Sequence, residues 1–447
     1  MRFSELEGAR VGVWGAGREI SSFAAQLAKR LPGARIVAAA FDEPPPDGVP
    51  EALGSPPPQV LSSGEALAAL SGCDVVVRSP GVSIHRPELA ALRHAGVPVT
   101  TATSLWLAER GGRRVLGVTG TKGKSTTAAL AHHIARAGGE RVELAGNIGR
   151  PALELLDADP ETLAIVELSS YHVADLAVGP EVATITNLYA EHADWHGSEQ
   201  VYRSEKLRIL ELPAVERAVL PARQPELAAA PTAAERLLFG EPSGWDVVDG
   251  AVTCAGEMRL AAGELGLPGE HNALNLCAAL TALEAAGVTP APLQAALAGF
   301  QPLAHRLATV AESGGLTWVD DSISTTPESA LAALASFPGR PLVLLGGGQD
   351  RGQDYTALGA ELARRGAALV AMPSTGPRLL DAARRAGLPA ARALIAEDLA
   401  GAVAIARELA VPGAVVLLSP AAPSYDRFRD FEERGERFAA LARAPRG

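Results

Sequence analysis

Short apolar runs alternate with longer amphipathic, alanine-rich stretches along most of the chain. The run 10–15 (RVGVWG) ends in a glycine turn and leads into a helical pattern over 21–31, which predicts strand, turn and helix. A second run, 34–41, stops at Asp42 before a proline-rich loop. A third, 73–81 (CDVVVRSPG), ends in another glycine turn ahead of a helix near 87–96. The pattern then repeats with a strand over 113–120 (RRVLGVTG), a helix over 124–138, strands over 162–170 and 182–188, and a helix over 198–212. A helix pair is predicted from 270 to 300, and after 301–306 strands recur at 316–322, 341–348 and 414–420 between alanine-rich helices. Strands alternating with helices predict parallel sheets covered on both faces. The fold class is α/β, with no internal repeat, and three domains are expected at 1–99, 100–302 and 303–447.

Composition narrows the setting. A chain of 447 residues exceeds one ordinary core, and 47% hydrophobic against 20% charged residues argues against wholesale disorder. No apolar run reaches the length of a membrane span, and the N-terminus lacks a basic-then-apolar leader. We therefore expect a cytoplasmic protein with no membrane insertion. A net charge of −11 argues against a nucleic-acid face, and Cys73, Cys254 and Cys277 lack metal-like spacing. Of 40 basic residues only four are lysine: Lys29, Lys122, Lys124 and Lys206. In a chain so rich in arginine, a surviving lysine marks a place where a compact point charge or a nucleophilic amine is needed.

Two of those lysines lie in 118–130, VTGTKGKSTTAAL. A Walker loop would place its first glycine at Val118; here the spacing is Gly-x-x-Gly-Lys-Ser. The loop still joins a predicted strand to a predicted helix, where backbone N–H groups can face an anion. We read Gly120, Thr121, Lys122, Gly123, Lys124, Ser125 and Thr126 as an ATP-binding loop, with Lys124 on the phosphates and Ser125 on Mg²⁺. Glu167 closes an apolar strand, where a carboxylate is costly unless paired or holding a metal. His192, Asp194 and His196 alone are weak evidence for a metal; Lys206 on the following helix strengthens them, because a lysine amine forms a carbamate with CO₂ and arginine does not. An ordinary helix-surface lysine is the alternative. In the first turn, Gly15-Ala16-Gly17-Arg18-Glu19-Ile20, isoleucine stands where a dinucleotide fingerprint has its third glycine, so we expect a Rossmann-like turn without NAD.

The runs VTGTKGKSTT, GNIG (146–149), ELSSYH (167–172), NLYAEHADWHGSEQVYRSEKLRI, GEHNALN (269–275) and LLSPAAPSYDRFRDFEERGERF resemble the Mur ligases, in order and over nearly the whole chain. The resemblance is to the glutamate-adding members. It implies an ATP-dependent ligase that joins glutamate to UDP-N-acetylmuramoyl-L-alanine through an acyl phosphate, acting as a monomer with ATP and two Mg²⁺ ions. By resemblance, Ser125 and Glu167 hold one Mg²⁺, and His192 and carbamylated Lys206 the other. Lys124, His192, Lys206 and Asn147 would carry the chemistry. Gly15, Ala16, Gly17, Arg18, Ser79, Pro80 and Gly81 would hold UDP in a Rossmann-like first domain. Asn147, Ser169 and His172 match substrate contacts, with His172 in place of the usual glutamine. Asn275 matches an adenine contact, while Arg306 and Asp321 match phosphate and ribose contacts from a Rossmann-like third domain that is expected to close over ATP. Thr325, Arg351, Ser424 and Phe431 match further substrate positions.

Departures from the family pattern concern glutamate. Ile323, in DDSISTTP, and Arg351, in DRGQDY, replace lysines of the commoner motif, and both forms are similar to a branch that adds L-glutamate. D-glutamate is the first expectation from the family as a whole, with L-glutamate as the alternative. A folylpolyglutamate-synthase-like ligase is a further alternative that leaves the first domain unexplained. A dehydrogenase explains only that domain, and a motor-type NTPase only the phosphate loop.

Overall fold

The computed structural model describes residues 1–15, 17–41, 53, 59–189, 198–261, 263–267, 269–301, 304–350, 353–424 and 426–444. The chain divides into two compact units: Met1–Gly266 with Glu270–Phe300, and Leu267–Gly269 with Gln301–Gly447.

The first unit holds three sheets. Strands β1 (Arg10–Trp14), β2 (Arg35–Phe41), β3 (Gln59–Ser62), β4 (Val75–Arg78) and β5 (Val99–Thr100) pair in parallel in the order β3-β2-β1-β4-β5. Successive β1 side chains point to opposite faces, and both faces are covered. Val11 and Val13 enter a core with Phe23, Leu105 and Trp106, whereas Trp14 packs on the other side with Leu70, Leu89 and Leu92. The first of these cores runs on without a break into Leu153 of the 3₁₀ turn Ala152–Asp157 and into Val166 and Ile185 of the next sheet, which is why the two sheets form one compact body.

That second sheet contains β6 (Val115–Thr119), β7 (Val142–Gly146), β8 (Leu163–Glu167), β9 (Val182–Ile185), β10 (Arg217–Pro221) and β11 (Glu235–Phe239), in the order β11-β10-β9-β6-β8-β7. All pairs are parallel. After β6 the chain crosses to β7, returns to β8 and then passes to β9 on the far side of β6. The strand order therefore reverses around the C-terminal end of β6, the position where open α/β sheets place ligands. A small antiparallel meander follows, β12 (Trp245–Val248), β13 (Ala251–Cys254) and β14 (Glu257–Leu260).

The second unit is built on β15 (Ala308–Ser313), β16 (Leu316–Asp320), β17 (Leu342–Gly346), β18 (Ala368–Ala371), β19 (Ala393–Ile395) and β20 (Val415–Leu418), in the order β15-β16-β20-β17-β18-β19. Only β15 runs antiparallel. Its central strands are buried on both faces, one against Leu358, Leu362 and Leu379, the other against Val403, Phe438 and Ala442.

The long apolar runs became strands within a few residues of their predicted positions. The helix expected over 198–212 is α-helical only over Glu199–Leu207 and tightens to a 3₁₀ turn over Arg208–Glu211. Strands β3, β5, β7, β10 to β15, β18 and β19 were not foreseen. The edge strand β11 shows why: Glu235 and Arg236 are exposed, and its polar start breaks any hydrophobic pattern.

Candidate active site

The loop after β6 is shaped by two glycines. Gly120 and Gly123 have φ of 144° and 82°, a region that side chains disfavour. A Cβ on Gly120 would lie 2.0 Å from Thr186 Oγ1, and one on Gly123 would lie 2.2 Å from Asn275 Oδ1. Gly123 caps helix Lys124–Ala137 without a side-chain hydrogen bond, so the helix N-terminus faces the loop. Asn187 holds the loop by both ends of its amide: Lys122 N–H donates to Oδ1 (2.8 Å) and Nδ2 donates to Lys122 O (3.0 Å). Thr186 Oγ1 also donates to Lys122 O at 2.6 Å. Thr121 Oγ1 meets Tyr202 Oη at 2.7 Å. Ser125 and Thr126 are buried at the start of the helix.

Both expected cations meet this loop. Lys124 Nζ donates to Thr121 O at 2.8 Å. Lys206 Nζ donates to Gly120 O at 2.8 Å, reaches Thr119 Oγ1 at 3.5 Å and sits 5.0 Å from the centre of the Tyr202 ring. At 1% exposure, Lys206 is not the ordinary surface lysine that was the alternative. Its place in the last turn of helix Glu199–Leu207 directs it inward, onto the phosphate loop.

Glu167 ends β8 directly beside β6 (Val118↔Glu167) and β7 (Gly146↔Glu167). It is 1% exposed, and Oε1 accepts from Asn147 Nδ2 at 3.2 Å. Its other oxygen, Oε2, is buried with no hydrogen-bond partner among the described residues. A buried, half-satisfied carboxylate next to a phosphate loop fits a cation ligand. Among the described residues no cluster of three or more His, Cys, Asp or Glu forms. His192, Asp194 and His196 lie outside the described residues.

The two turns expected to hold UDP pack on each other. Gly15 has φ of 99°, and a Cβ there would come within 2.7 Å of Ser79 Cβ. Gly17 caps helix Arg18–Arg30, again without a side-chain hydrogen bond. Arg18 Nη2 donates to Asn147 O at 3.0 Å, which joins this turn to the 146–149 turn. Arg78, fully buried, braces the second turn through Ser79 O, Pro80 O and Val82 O and pairs with Asp175 at 3.0 Å. Ser169 caps the short helix Ser170–Val173, and its Oγ lies 2.6 Å from His172 Nδ1. His172 Nε2 in turn meets Glu19 Oε1 at 2.6 Å. Burial works to raise the Glu19 pKa, but the His172 ring and the hydrogen bonds from His172 and Thr103 hold it below the usual value. Ala16 lies outside the described residues.

In the second unit, Arg306 stands between two left-handed residues, His305 (φ 62°) and Leu307 (φ 48°). The end of β16 pins this turn. His305 Nδ1 meets Asp320 Oδ2 at 2.7 Å, a contact that raises the histidine pKa against the effect of burial. Leu307 N–H donates to Asp321 Oδ1 at 3.2 Å, and Ser419 Oγ donates to Oδ2 at 2.7 Å. Burial pushes Asp321 up to about 6, opposed by hydrogen bonds from Ser324 and Ser419, the Arg306 charge and the Leu307 amide. Phe431 stacks edge-on against His305 with ring centres 6.1 Å apart. Ser424 is buried, and Thr325 and Ile323 are half-buried. Arg351 lies outside the described residues.

The sequence matches the family model of the Mur ligase middle domain over residues 118–283 and that of the Mur ligase glutamate ligase domain over 305–422. The UDP-N-acetylmuramoyl-L-alanine--L-glutamate ligase of a Micromonospora species is 42% identical over 459 residues, which covers 100% of this chain and 99% of the relative. The chain belongs to the Mur ligase family. A second relative of the same name, from Salinispora tropica, is 41% identical over 463 residues and 100% of both chains, and one from Xanthomonas axonopodis pv. citri is 40% identical over 462 residues, covering 99% of this chain and 97% of the relative. Among solved structures, UDP-N-acetylmuramate-alanine ligase MurC from Thermotoga maritima matches with TM-score 0.58 and 18% identity, covering 97% of this chain and 98% of that one. Folylpolyglutamate synthase from Mycobacterium tuberculosis, complexed with ADP and AMPPCP, matches with TM-score 0.57 and 20% identity over 76% of this chain and 94% of that one. As a Mur ligase the protein is an ATP-dependent, ADP-forming ligase. Among the described residues no helix is long and apolar enough to cross a membrane.

Several residues that contact the expected positions were missed from sequence. Arg78 ends an apolar strand just as Glu167 does, and the same signal would have found it. Asn187 and Tyr202 lie inside a quoted motif but carry no chemical signature of their own. Glu19 and His305 gain meaning only from partners 153 and 15 residues away.

Proposed function

We propose that this Mur ligase joins L-glutamate to UDP-N-acetylmuramoyl-L-alanine in peptidoglycan precursor synthesis in the cytoplasm. One observation carries the choice of substrates: near 40% identity over the full chain to relatives named for that reaction. It replaces D-glutamate as the first expectation. Ile323 agrees with the change, because it offers no cation to a glutamate carboxylate where the commoner motif has lysine.

A carboxylate and an ammonium do not condense in water, so the acid must be activated first. In the proposed reaction the substrate carboxylate attacks the γ-phosphorus of ATP, the bond to ADP breaks, and an acyl phosphate forms. The glutamate amine then attacks the acyl carbon and loses a proton, and inorganic phosphate departs with the C–O electron pair. The loop amides, helix N-terminus and Lys124 would hold the transferring phosphate. Ser125 and Glu167 would hold one Mg²⁺; His192 and Lys206, the latter as a carbamate, a second. Bound there, Mg²⁺ would neutralise charge between phosphate and carboxylate. Asn147 would position the acyl end through Glu167, and Asn275 would flank the nucleotide at Gly123. We assign UDP to residues 1–99, ATP to 100–302, and glutamate recognition to 303–447, with Thr325, Ser424, Phe431 and Arg351 near glutamate and Arg306 and Asp321 toward ATP.

The test is ADP release with UDP-N-acetylmuramoyl-L-alanine and each glutamate enantiomer. Turnover with L-glutamate and little with D-glutamate is expected; a preference for D-glutamate would reverse the stereochemical assignment, and silence with both would sink the reaction. The carbamate has its own check. Lys206→Ala is expected to lose activity and regain part of it with acetate, whereas a fully active Lys206→Arg would rule the carbamate out.

A further inference from the structure

Two adjacent residues at the start of helix Arg18–Arg30 reach across to the reacting end of the site. Arg18 donates to the carbonyls of Asn147 (3.0 Å) and Gly149 (3.4 Å). Glu19 Oε1 accepts from Thr103 Oγ1 at 2.9 Å and meets His172 Nε2 at 2.6 Å. The Ser169 N–H donates to His172 Nδ1 at 3.2 Å, so that nitrogen is an acceptor and Nε2 carries the proton directed at Glu19. His172 is 3% exposed, and both ring nitrogens are engaged within the protein. This differs from the expectation that His172 contacts substrate directly. Its ring instead forms a rigid strut from Ser169, which caps helix Ser170–Val173, to the turn after β1.

We propose that Glu19 and His172 are positioning residues that couple the nucleotide-sugar turn at Gly15 and Gly17 to the acyl end at Asn147 and Ser169. The role rests on the reaction assigned above. One end of the substrate would lie on the helix N-terminus that Glu19 belongs to, and the other beside Ser169. The Glu19–His172 contact then fixes the distance between them, and ATP, held by the loop after β6, does not depend on it. The contact also explains how a carboxylate is tolerated in an anion-binding turn: Glu19 is directed away from the ligand and into a histidine and a hydroxyl.

The experiment is a double-mutant cycle of Glu19→Ala and His172→Ala, with His172→Gln alongside, assayed by ADP release with the nucleotide-sugar and ATP varied in turn. Each alanine variant is expected to lower kcat/KM for the nucleotide-sugar about 10- to 100-fold, the loss that follows from breaking a buried charged hydrogen bond. KM for ATP should stay within about threefold, the double variant should be no worse than the poorer single one, and His172→Gln, which keeps a donor, should recover most of the loss. Losses that multiply in the double variant, a parallel rise in KM for ATP, or no loss at all would overturn the role. If the alanine variants do not fold, Glu19→Gln decides it: a loss of about 3- to 10-fold in kcat/KM confined to the nucleotide-sugar supports the strut, and none overturns it. Wild-type protein that releases no ADP with either glutamate would overturn the reaction itself; a working wild type with an uncoupled cycle overturns only the positioning role.

Discussion

Two glycine turns close strand–helix junctions in the first unit, one after β1 and one after β6. Each begins with a left-handed glycine, Gly15 (φ 99°) and Gly120 (φ 144°), and each helix is capped by a glycine with no side-chain hydrogen bond. What surrounds them differs. Two lysines, Lys124 and Lys206, rest on carbonyls of the loop after β6, and Glu167 lies nearby with one oxygen unsatisfied. Beside the turn after β1, two arginines are already committed to protein groups, Arg78 to carbonyls and Asp175, Arg18 to the 147–149 turn. A guanidinium that makes several directed hydrogen bonds is a brace, whereas an ammonium on a flexible stem can leave a carbonyl for a phosphate. On the proposed function, the same backbone grammar would give a holding site in one place and a reacting site in the other. It also gives a physical reason for lysine to persist at the second in an arginine-rich chain.

The sharpest way to break this comparison is Lys124→Ala, expected to lower kcat about 1,000-fold with little change in stability. Lys124→Arg should fail nearly as badly, since a planar fork does not replace a point charge in a glycine loop. ADP release and thermal melting on the same preparations decide it, and an active arginine variant would remove the distinction between the two turns. Arg78→Met is the opposite case. Losing one partner of a buried ion pair leaves Asp175 uncompensated and is expected to cost about 3–5 kcal/mol of stability by urea denaturation. Asp175→Asn in the same chain should recover part of that cost. Unchanged stability with lost turnover would make Arg78 a reacting group and not a brace.

The sequence pattern carried the central strands and the glycine loop between β6 and its helix, because those rest on local signals. Apolar runs ending in glycine, and Gly-x-x-Gly-Lys-Ser between strand and helix, need no distant partner to be read. Lys206 was found by scarcity, and its burial supports the logic that singled it out. His172 was assigned to substrate because the family aligns it with glutamine, but the fold commits its ring to Glu19 and Ser169. No periodicity links positions 19 and 172; only the packing of helix Arg18–Arg30 beside the second sheet does. Asn187 illustrates the same limit, since its two bonds to Lys122 depend on the alignment of β6 with β9. Short strands such as β11 and β19 escaped because pairing, not their own composition, defines them.

The smallest expected effect separates the two helix-capping glycines by geometry alone. Gly123 has φ of 82°, and an added Cβ would collide with Asn275 Oδ1 at 2.2 Å. Gly123→Ala therefore combines backbone strain with a displaced side chain, together on the order of 2–3 kcal/mol, or about 100-fold in kcat/KM for ATP. Gly17 has φ of −71°, which alanine adopts freely, and among the described residues its Cβ would meet only Ser79 Oγ, at 3.3 Å. Gly17→Ala should change kcat/KM for the nucleotide-sugar by less than about threefold, since a hydroxyl can rotate away and a glycine cap is worth only tenths of a kcal/mol. Steady-state kinetics of the pair gives a ratio independent of expression level. Equal losses would mean that the turn after β1 admits no more than the loop after β6, and that both are shaped to touch phosphate through bare backbone.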